Sequence, residues 1–435
     1  MAKSDIQILQ FGTGNFLRAF IGSMVQDLNE KGNTLNICVI QSTTSKSIQQ
    51  LAEQEYSFKL LVAGVQDGQE VSHIRQINCI KEGLRLPEEA DRFFEFASQS
   101  QVKWIISNVT EAGMVMKKEE SMEQFAESFA GRLTQWLYRR YQTIPGSEIV
   151  ILPCELLPEN GVLLKKFILT HLENWQLSSE FKGWLHSNVK FHNSLVDRIV
   201  PGFPSHLDLK EKDSDPFLVQ AEPYSLWAIE GMESDRDHLP FCESSSEVII
   251  SKDISGYSLR KVRILNASHT AMTGHGLLHG IETVGEWMGD SKREKFLLEM
   301  IQEEIIPTIP LNEDKLISYG KEVLDRFRNP FVAHKLSDIS LNSLAKIKSR
   351  LLPILVDFQK KTSHFPPKLT LCLVALLLFY LRNPDKIRDD QEVKGWFGKR
   401  NNEGTEVENL QVALAAWLNL EWNAELELAY NKLIK

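Results

Sequence analysis

Asp5-Ile-Gln-Ile-Leu-Gln-Phe-Gly12-Thr-Gly14-Asn-Phe-Leu-Arg18-Ala-Phe-Ile-Gly-Ser-Met-Val-Gln-Asp-Leu-Asn-Glu30 is the stretch that decides the fold. Its first part, 5–12, is a short apolar run ending in glycine, which reads as a buried strand. From Asn15 the apolar residues Phe16, Phe20, Met24 and Leu28 fall at helical spacing and predict a helix to Glu30. Strand, turn, helix then recurs along the chain. Apolar runs at 36–41, 104–109 and 148–152 predict further strands, and helix-like segments at 45–54, 88–98 and 121–141 alternate with them. Alternation of this kind argues for an α/β, Rossmann-like doubly wound domain, a parallel sheet covered by helices. The segment 58–77 differs, because Asp67-Gly68 between β-rich stretches predicts a hairpin, a β insertion added to the sheet.

Beyond Asn266 the texture changes. Helical periodicity runs nearly to Lys435, broken at Pro307 to Pro310, Asn329-Pro330, Phe365-Pro-Pro367 and Asn383-Pro384, where proline removes a donor and clashes with the preceding turn. The C-terminal part is expected to be an all-α domain. The stretch 200–258, rich in Pro, Ser, Asp and Glu, reads as a peripheral connection before a last strand near 247–251. The expected division is therefore 1–258 and 259–435, with no internal repeat at a fixed period and no low-complexity tract.

A chain of 435 residues with 43% apolar content is long enough for two cores. Its formal charge of -9, with Lys and Arg scattered among Asp and Glu, offers no footprint for a nucleic-acid backbone, so an anionic ligand must be met by local cations. The five cysteines are odd in number and widely spaced, with no C-x-x-C pair to suggest zinc or a disulfide framework. That fits a reducing, cytoplasmic compartment, and no metal is expected. The start of the chain lacks the features of a signal peptide. The most apolar segment, 369–381, is about 13 residues long, short of the roughly 20 that cross a bilayer, and predicts a buried helix without membrane contact. Oligomeric state is open at this stage, and a monomer is compatible with all of it.

Gly12 and Gly14 stand where a strand feeds a helix, the place at which a dinucleotide pyrophosphate rests on helix N-terminal amides and needs glycine for close approach. Gly12, Gly14, Asn15 and Phe16 are therefore candidate cofactor residues, and 1–258 a dinucleotide-binding domain. Leu17 replaces the third glycine of G-x-G-x-x-G, and a plain strand-to-helix turn accounts for two glycines equally simply. Arg18 either adds positive charge for the pyrophosphate or is a solvated helix residue. At the end of the second strand, where an acidic residue often binds the ribose hydroxyls, the chain has Gln41. Glutamine can bond the ribose without repelling a 2'-phosphate, so NAD is preferred and NADP is left open. Asn108 and Thr110, after the third of these strands, fall at the carboxyl edge where such a sheet binds ligands, with ordinary loop capping as the other reading.

Lys261-Val-Arg-Ile-Leu-Asn266-Ala-Ser-His269 falls on one predicted helix. At about 100° per residue its three polar groups point near 0°, 140° and 80°, less than half the circumference. Reducing a carbonyl needs a donor for the developing alkoxide, and the reverse reaction needs a base. A semi-buried lysine can serve both, since desolvation lowers its pKa, while Asn266 and His269 can bond the reacting oxygen. A lysine snorkelling at a helix start, a capped asparagine and a satisfied core histidine explain the same residues without chemistry.

Three motifs in order, Phe11-Gly-Thr-Gly-Asn-Phe-Leu-Arg18-Ala19, Asn193-Ser-Leu-Val-Asp197-Arg198-Ile199 and Lys261-x4-Asn266-x2-His269, resemble those of the long-chain polyol dehydrogenases, the mannitol dehydrogenase family. The resemblance extends over essentially the whole chain. It implies a metal-independent, NAD-dependent oxidoreductase with Lys261 as acid-base, Asn266 and His269 assisting at the carbonyl, Asp197 beside the substrate, and 259–435 as a helical substrate-binding and catalytic domain. Ile106-Ser-Asn108-Val-Thr110-Glu-Ala-Gly113, Pro153-Cys-Glu155-Leu-Leu-Pro-Glu-Asn160-Gly161, Val196-Asp-Arg-Ile-Val-Pro-Gly202 and Arg326-Phe-Arg-Asn-Pro330 with His334 and Asn342-Ser343-x2-Lys346-x3-Arg350 look more like its sugar-acid branch, the tagaturonate reductases.

A sugar-acid substrate implies a cation for the carboxylate. Lys346 or Arg350, with His334 nearby, is the expected grip, against the reading of an exposed basic helix face. Where the mannitol pattern has C-D-N, this chain has Cys154-Glu155-Leu156, so an oxyanion donor is missing and Asn266 and Lys261 must carry more of the charge. The expected reaction is reduction of D-tagaturonate to D-altronate, with fructuronate reductase or mannitol 2-dehydrogenase as near alternatives. A non-catalytic NAD(H)-sensing module is the alternative from a different class.

Overall fold

In a computed structural model of the chain, residues 5–43, 45–109, 113–117, 119–245, 247–400 and 404–435 are described. They form two compact units, the first running to Ala63 and resuming over 72–254, the second comprising 64–71 and 255–435.

The first unit opens with β1 (Ile8–Phe11), α1 (Asn15–Glu30), β2 (Ile37–Gln41) and α2 (Ser47–Glu53). The hairpin strands β3 (Phe58–Gln66) and β4 (Gln69–Ile77) follow, then β5 (Ile80–Arg85), α3 (Ala90–Glu95), β6 (Trp104–Ser107), α4 (Phe129–Thr143), β7 (Ile149–Pro153), α5 (Asn160–Asn174), α6 (Ser179–Asn188) and β8 (Val189–Phe191). The main sheet has the order β5-β2-β1-β6-β7-β8, parallel throughout. Numbered along the chain within that sheet alone, the order is 3-2-1-4-5-6, that of dinucleotide-binding folds. The strand order reverses between β1 and β6, so the ligand crevice of such a sheet opens at the carboxyl ends of these two strands.

Two apolar cores line the sheet, one on each face. Ile8 of β1 points into the core that holds Phe20, Met24 and Leu28 of α1, while Leu9 and Phe11 point into the other, with Leu133, Trp136 and Leu137 of α4. A strand covered on both faces must be apolar almost without interruption, which is why these segments are legible as runs. Each fully buried side chain of this size contributes roughly 1.5–3 kcal/mol.

The hairpin is where the structure departs from expectation. Asp67 and Gly68 both have positive φ, 52° and 74°, as a two-residue hairpin turn requires. Its strands do not extend the main sheet, however. β3 pairs in parallel with β10 (Val219–Ala221), and β10-β3-β4 form a sheet of their own. The place beside β2 belongs instead to β5, which the sequence reading passed over. The expected last strand is β12 (Val248–Ser251), in a third sheet with β11 (Leu226–Glu230) and β9 (Ser194–Asp197).

The second unit, apart from 64–71, is helical. Its centre is the helix Pro367–Arg382, buried along most of its length and packed on Ala267–Leu278. A Cβ on Gly274 would stand 2.4 Å from the Leu376 Cβ, so this glycine is what lets the two helices approach so closely. Glu304 accepts the backbone N–H groups of Lys368 and Leu369, both at 2.8 Å, supplying the first turn of the central helix with acceptors it lacks within the helix. Among the described residues, no helix is long and apolar enough to cross a membrane.

Candidate active site

In the first unit, the turn between β1 and α1 is built for close backbone approach. Gly12 has φ +122°, and a Cβ there would meet the Asn108 carbonyl oxygen at 3.2 Å and Leu17 Cδ1 at 3.3 Å. Gly14 is the N-cap of α1, with no side chain capping the first turn, no acidic residue in that turn, and open space where its Cβ would be. Helix N–H groups left free beside open space fit a phosphate. Asn15 is exposed and Phe16 half-buried at the same helix start.

Arg18 is placed differently from a pyrophosphate ligand. It is 6% exposed, with its guanidinium over the Phe58 and Phe217 rings at 5.3 and 5.0 Å, and Nη2 donates to Asn15 Oδ1 at 2.5 Å. Burial pushes its pKa down to about 10 against the partial support of Asp215. Arg18 therefore reaches the turn through Asn15. The expectation for Gln41 is corrected more firmly. Its Nε2 donates to the carbonyls of Thr43, at 2.8 Å, and Ser45, and its Oε1 accepts from Ser47 Oγ at 2.9 Å and Ile48 N at 3.3 Å. With both ends occupied, Gln41 shapes the loop into α2 and is not available to a ribose.

Asn108 Nδ2 donates to the Cys154 carbonyl at 2.6 Å, tying the end of β6 to that of β7. Its backbone carbonyl is the group that crowds Gly12, so the residue sits at the crevice. Thr110 lies outside the described residues. Asp197, 3% exposed, ends β9 opposite Leu226. Next to it, Arg198 donates to the carbonyls of Ala19 and Glu222 and to Ser23 Oγ, at 2.8 to 3.1 Å, anchoring the V-D-R motif to α1.

In the second unit, 255–278 is one helical run whose middle, Lys261–Asn266, is a π-helix. This changes the expected geometry. Residues five apart diverge by about 140° on an α-helix, but share a face where hydrogen bonds run from i to i+5. Lys261 and Asn266 are five apart. His269 follows on the α-helical turn, three residues on, about 60° round from Asn266. All three thus occupy a narrower face than α-helical spacing allows. Lys261 and Asn266 are half-buried, and His269 is 8% exposed.

Around His269 the structure gathers cations. Its ring lies 4.3 Å from that of Phe327 and 4.7 Å from that of His334, edge to face. Its Nε2 is shut off from solvent without a hydrogen-bond partner. Burial above all, and then His334, Arg326, Arg350 and Lys346, hold its pKa well below the usual histidine range, so the ring is neutral at neutral pH. His334 is likewise pushed down by burial. Lys346 Nζ donates to the Ile339 carbonyl at 2.7 Å, and burial followed by Arg350 lowers its pKa. Arg350 lies in a second π-helical stretch, Ile347–Leu351, which packs on the 255–278 run, and burial lowers its pKa as well. His334, Lys346 and Arg350 are thus brought together with His269. Arg326, 6% exposed, opens the Arg326-Phe-Arg-Asn-Pro330 motif but was not among the expected site residues, although a lone arginine among Val323, Leu324 and Phe327 on a buried helix face was a readable sign. Among the described residues, no three His, Cys, Asp or Glu side chains converge as a metal site.

Residues 6–241 match the mannitol dehydrogenase Rossmann domain, and residues 253–428 the mannitol dehydrogenase C-terminal domain. The chain belongs to the mannitol dehydrogenase family. The family read from the glycine turn, the V-D-R motif and the lysine spacing is the one found. Among relatives in this family, the chain is 38% identical to an altronate oxidoreductase of Bacillus subtilis (strain 168) over 400 residues, 90% of this chain and 83% of that one. It is 34% identical to one from Yersinia pestis over 430 residues, 95% and 88% of the two chains. In fold it is similar to a substrate-free D-sorbitol dehydrogenase, with a TM-score of 0.80 at 19% identity over 99% of this chain and 92% of that one. It is also similar to Pseudomonas fluorescens mannitol 2-dehydrogenase, solved with NAD and D-mannitol, with a TM-score of 0.71 at 21% identity over 100% and 93% of the two chains.

Proposed function

We propose that this NAD-dependent oxidoreductase is a sugar-acid reductase that converts D-tagaturonate to D-altronate. The observation that carries this reading is the cluster of Arg326, Lys346 and Arg350 around His269, with His334 in the loop before Leu336; Arg326 and Arg350 lie on helical stretches that pack against the one carrying Lys261 and Asn266. Half-buried cations held close together repel and are poorly solvated, a cost that a bound carboxylate offsets. A neutral polyol would leave it in place. The altronate oxidoreductases among the relatives support the same substrate class.

Bound NADH supplies the hydride for the keto carbon. The Lys261 ammonium delivers a proton to the oxygen that becomes the hydroxyl, and Asn266 donates a hydrogen bond to that oxygen as its charge develops. Neutral His269 adds a hydrogen bond without bringing a competing charge. Arg350 and Lys346 hold the carboxylate away from the reacting end, which fixes the substrate's direction. The turn Gly12 to Phe16 holds the pyrophosphate, with Arg18 keeping Asn15 in place. A cytoplasmic setting fits five cysteines that are all unpaired.

The test is the loss of NADH absorbance with D-tagaturonate, D-fructuronate and D-fructose. D-tagaturonate should give the highest kcat/KM. Faster turnover of D-fructose would overturn the sugar-acid reading in favour of a mannitol dehydrogenase, and nucleotide binding with no turnover would favour the sensor.

A further inference from the structure

Glu155 is an acid at the carboxyl edge of the main sheet for which the reaction above has no use. It follows Cys154 just after β7, and its Oε1 accepts the Val109 N–H at 2.9 Å. The two chain ends are stitched by two more bonds, Cys154 N to the Ser107 carbonyl at 2.7 Å and Asn108 Nδ2 to the Cys154 carbonyl at 2.6 Å. The Asn108 carbonyl is in turn the group that packs against Gly12. Glu155 therefore fastens the segment that forms one wall of the glycine turn.

Glu155 is only 3% exposed, and its Oε2 is shut off from water without a hydrogen bond of ordinary geometry. Ser107 Oγ, also without one, stands near it. Among the described residues, Glu155 also interacts with Val109, Cys154 and Asn160 of α5, whose Nδ2 donates to the Glu155 carbonyl at 3.0 Å. Of these only Cys154 titrates, and burial pushes its thiol well up, so none carries a charge at neutral pH. A carboxylate here would be a buried charge, supported by the Val109 amide, its own amide and Ser107 but with no counter-ion among the described residues, and burial outweighs that support. A carboxylic acid would keep the bond from Val109 through Oε1 and give Oε2 a proton to donate to the nearby Ser107 Oγ.

We propose that Glu155 is a positioning residue which holds the 108–109 wall of the cofactor site as a neutral acid, and that its ionisation loosens this wall and weakens NADH binding. Burial raises its pKa, which brings the transition towards the working range. The sign follows from linkage. The tight-binding form carries the proton, so affinity is fully present at low pH and is lost as pH rises through the raised pKa, by at most about tenfold per pH unit for one proton.

The experiment is the dissociation constant of NADH, from its fluorescence, across mildly acidic to mildly alkaline pH in the full chain and in Glu155→Gln. Glutamine keeps the acceptor for Val109 and a donor for Ser107 but has no proton to lose. Wild type should weaken with rising pH, while Glu155→Gln should stay at the acidic wild-type level throughout. Amide exchange in the NADH-free wild type gives a second readout that needs no variant, because Val109 should lose protection with rising pH relative to amides within β6. A wild-type pH slope that persists in Glu155→Gln, or a Val109 amide equally protected across the range, would overturn the proposal. Neither outcome bears on which sugar acid is reduced.

Discussion

Arg350 Nη1 donates to the Thr270 hydroxyl at 3.2 Å, and that hydroxyl donates to the Asn266 carbonyl at 2.8 Å. The guanidinium is thereby held one helical turn from the residue proposed to bond the reacting oxygen. Thr270 is 2% exposed, so its hydroxyl has no exchange with bulk water to soften this link. If Arg350 and Lys346 grip a carboxylate, removing either should act on substrate affinity. A hydrogen bond to a charged group is worth about 1.5–3 kcal/mol, roughly 10- to 150-fold in affinity. We expect Arg350→Ala and Lys346→Ala to raise KM for D-tagaturonate in that range with unchanged NADH affinity. Thr270→Val should raise it less, and Thr270→Ser should restore it. Unchanged KM in both alanine variants would remove the carboxylate grip from this cluster.

Lys261 and Asn266 share a face through the π-helical stretch, which brings the proposed acid and the proposed oxyanion donor together. General acid-base catalysis by a placed group typically contributes about 10²- to 10⁴-fold. Lys261→Ala should lower kcat by that factor while NADH binds as before. Steady-state kinetics with a fluorescence titration of the cofactor checks both halves, and near-normal turnover would sink the assignment.

His269 makes a prediction about stability. Its pKa is well below the unfolded value of about 6.5. As pH falls below about 6.5, the unfolded chain takes up a proton that the native ring resists, so stability is lost towards acid. His275, pushed by burial down to about 4, and His334 add slopes of the same sign. Urea midpoints near neutrality and at mildly acidic pH should therefore fall less for His269→Asn than for wild type. Parallel curves would mean that the native ring takes up its proton as readily as the unfolded one, and would overturn the assignment.

The parallel sheet was legible because burial on both faces forces apolar runs such as Ile37-Cys-Val-Ile40. β5 was not, since Lys81 and Glu82 interrupt it, and the pairing of Glu82 by Arg92 from the next helix, α3, exists only once the two elements have packed. Nor could local pattern show that β3 pairs with β10, about 160 residues away along the chain. In the site, residue types were readable and their use was not. Gln41 occupies the expected ribose position, yet its amide serves the loop beside it, and Arg18 is turned under Phe58 and Phe217. The π-helix left no mark in the sequence, because the side-chain pattern of one turn does not distinguish hydrogen bonds to i+4 from those to i+5.

The two glycines of the turn separate the structural reading of that turn from the cofactor reading. An alanine at Gly12 would carry the strain of φ +122° and press its methyl on the Asn108 carbonyl and Leu17. Such backbone strain costs about 1–3 kcal/mol, so Gly12→Ala should lower Tm and weaken NADH together. Gly14 has φ -66°, which alanine adopts freely, and nothing within 4 Å of a Cβ. Gly14→Ala should therefore leave Tm unchanged. Its methyl would nonetheless stand in the space beside the free N–H groups of α1 where a pyrophosphate must lie, and we expect NADH affinity to fall about tenfold or more, the loss of one good hydrogen bond. Thermal denaturation with an NADH titration distinguishes the cases. A Gly14→Ala variant that binds NADH like wild type would show that the turn is a plain strand-to-helix connection and that the pyrophosphate lies elsewhere.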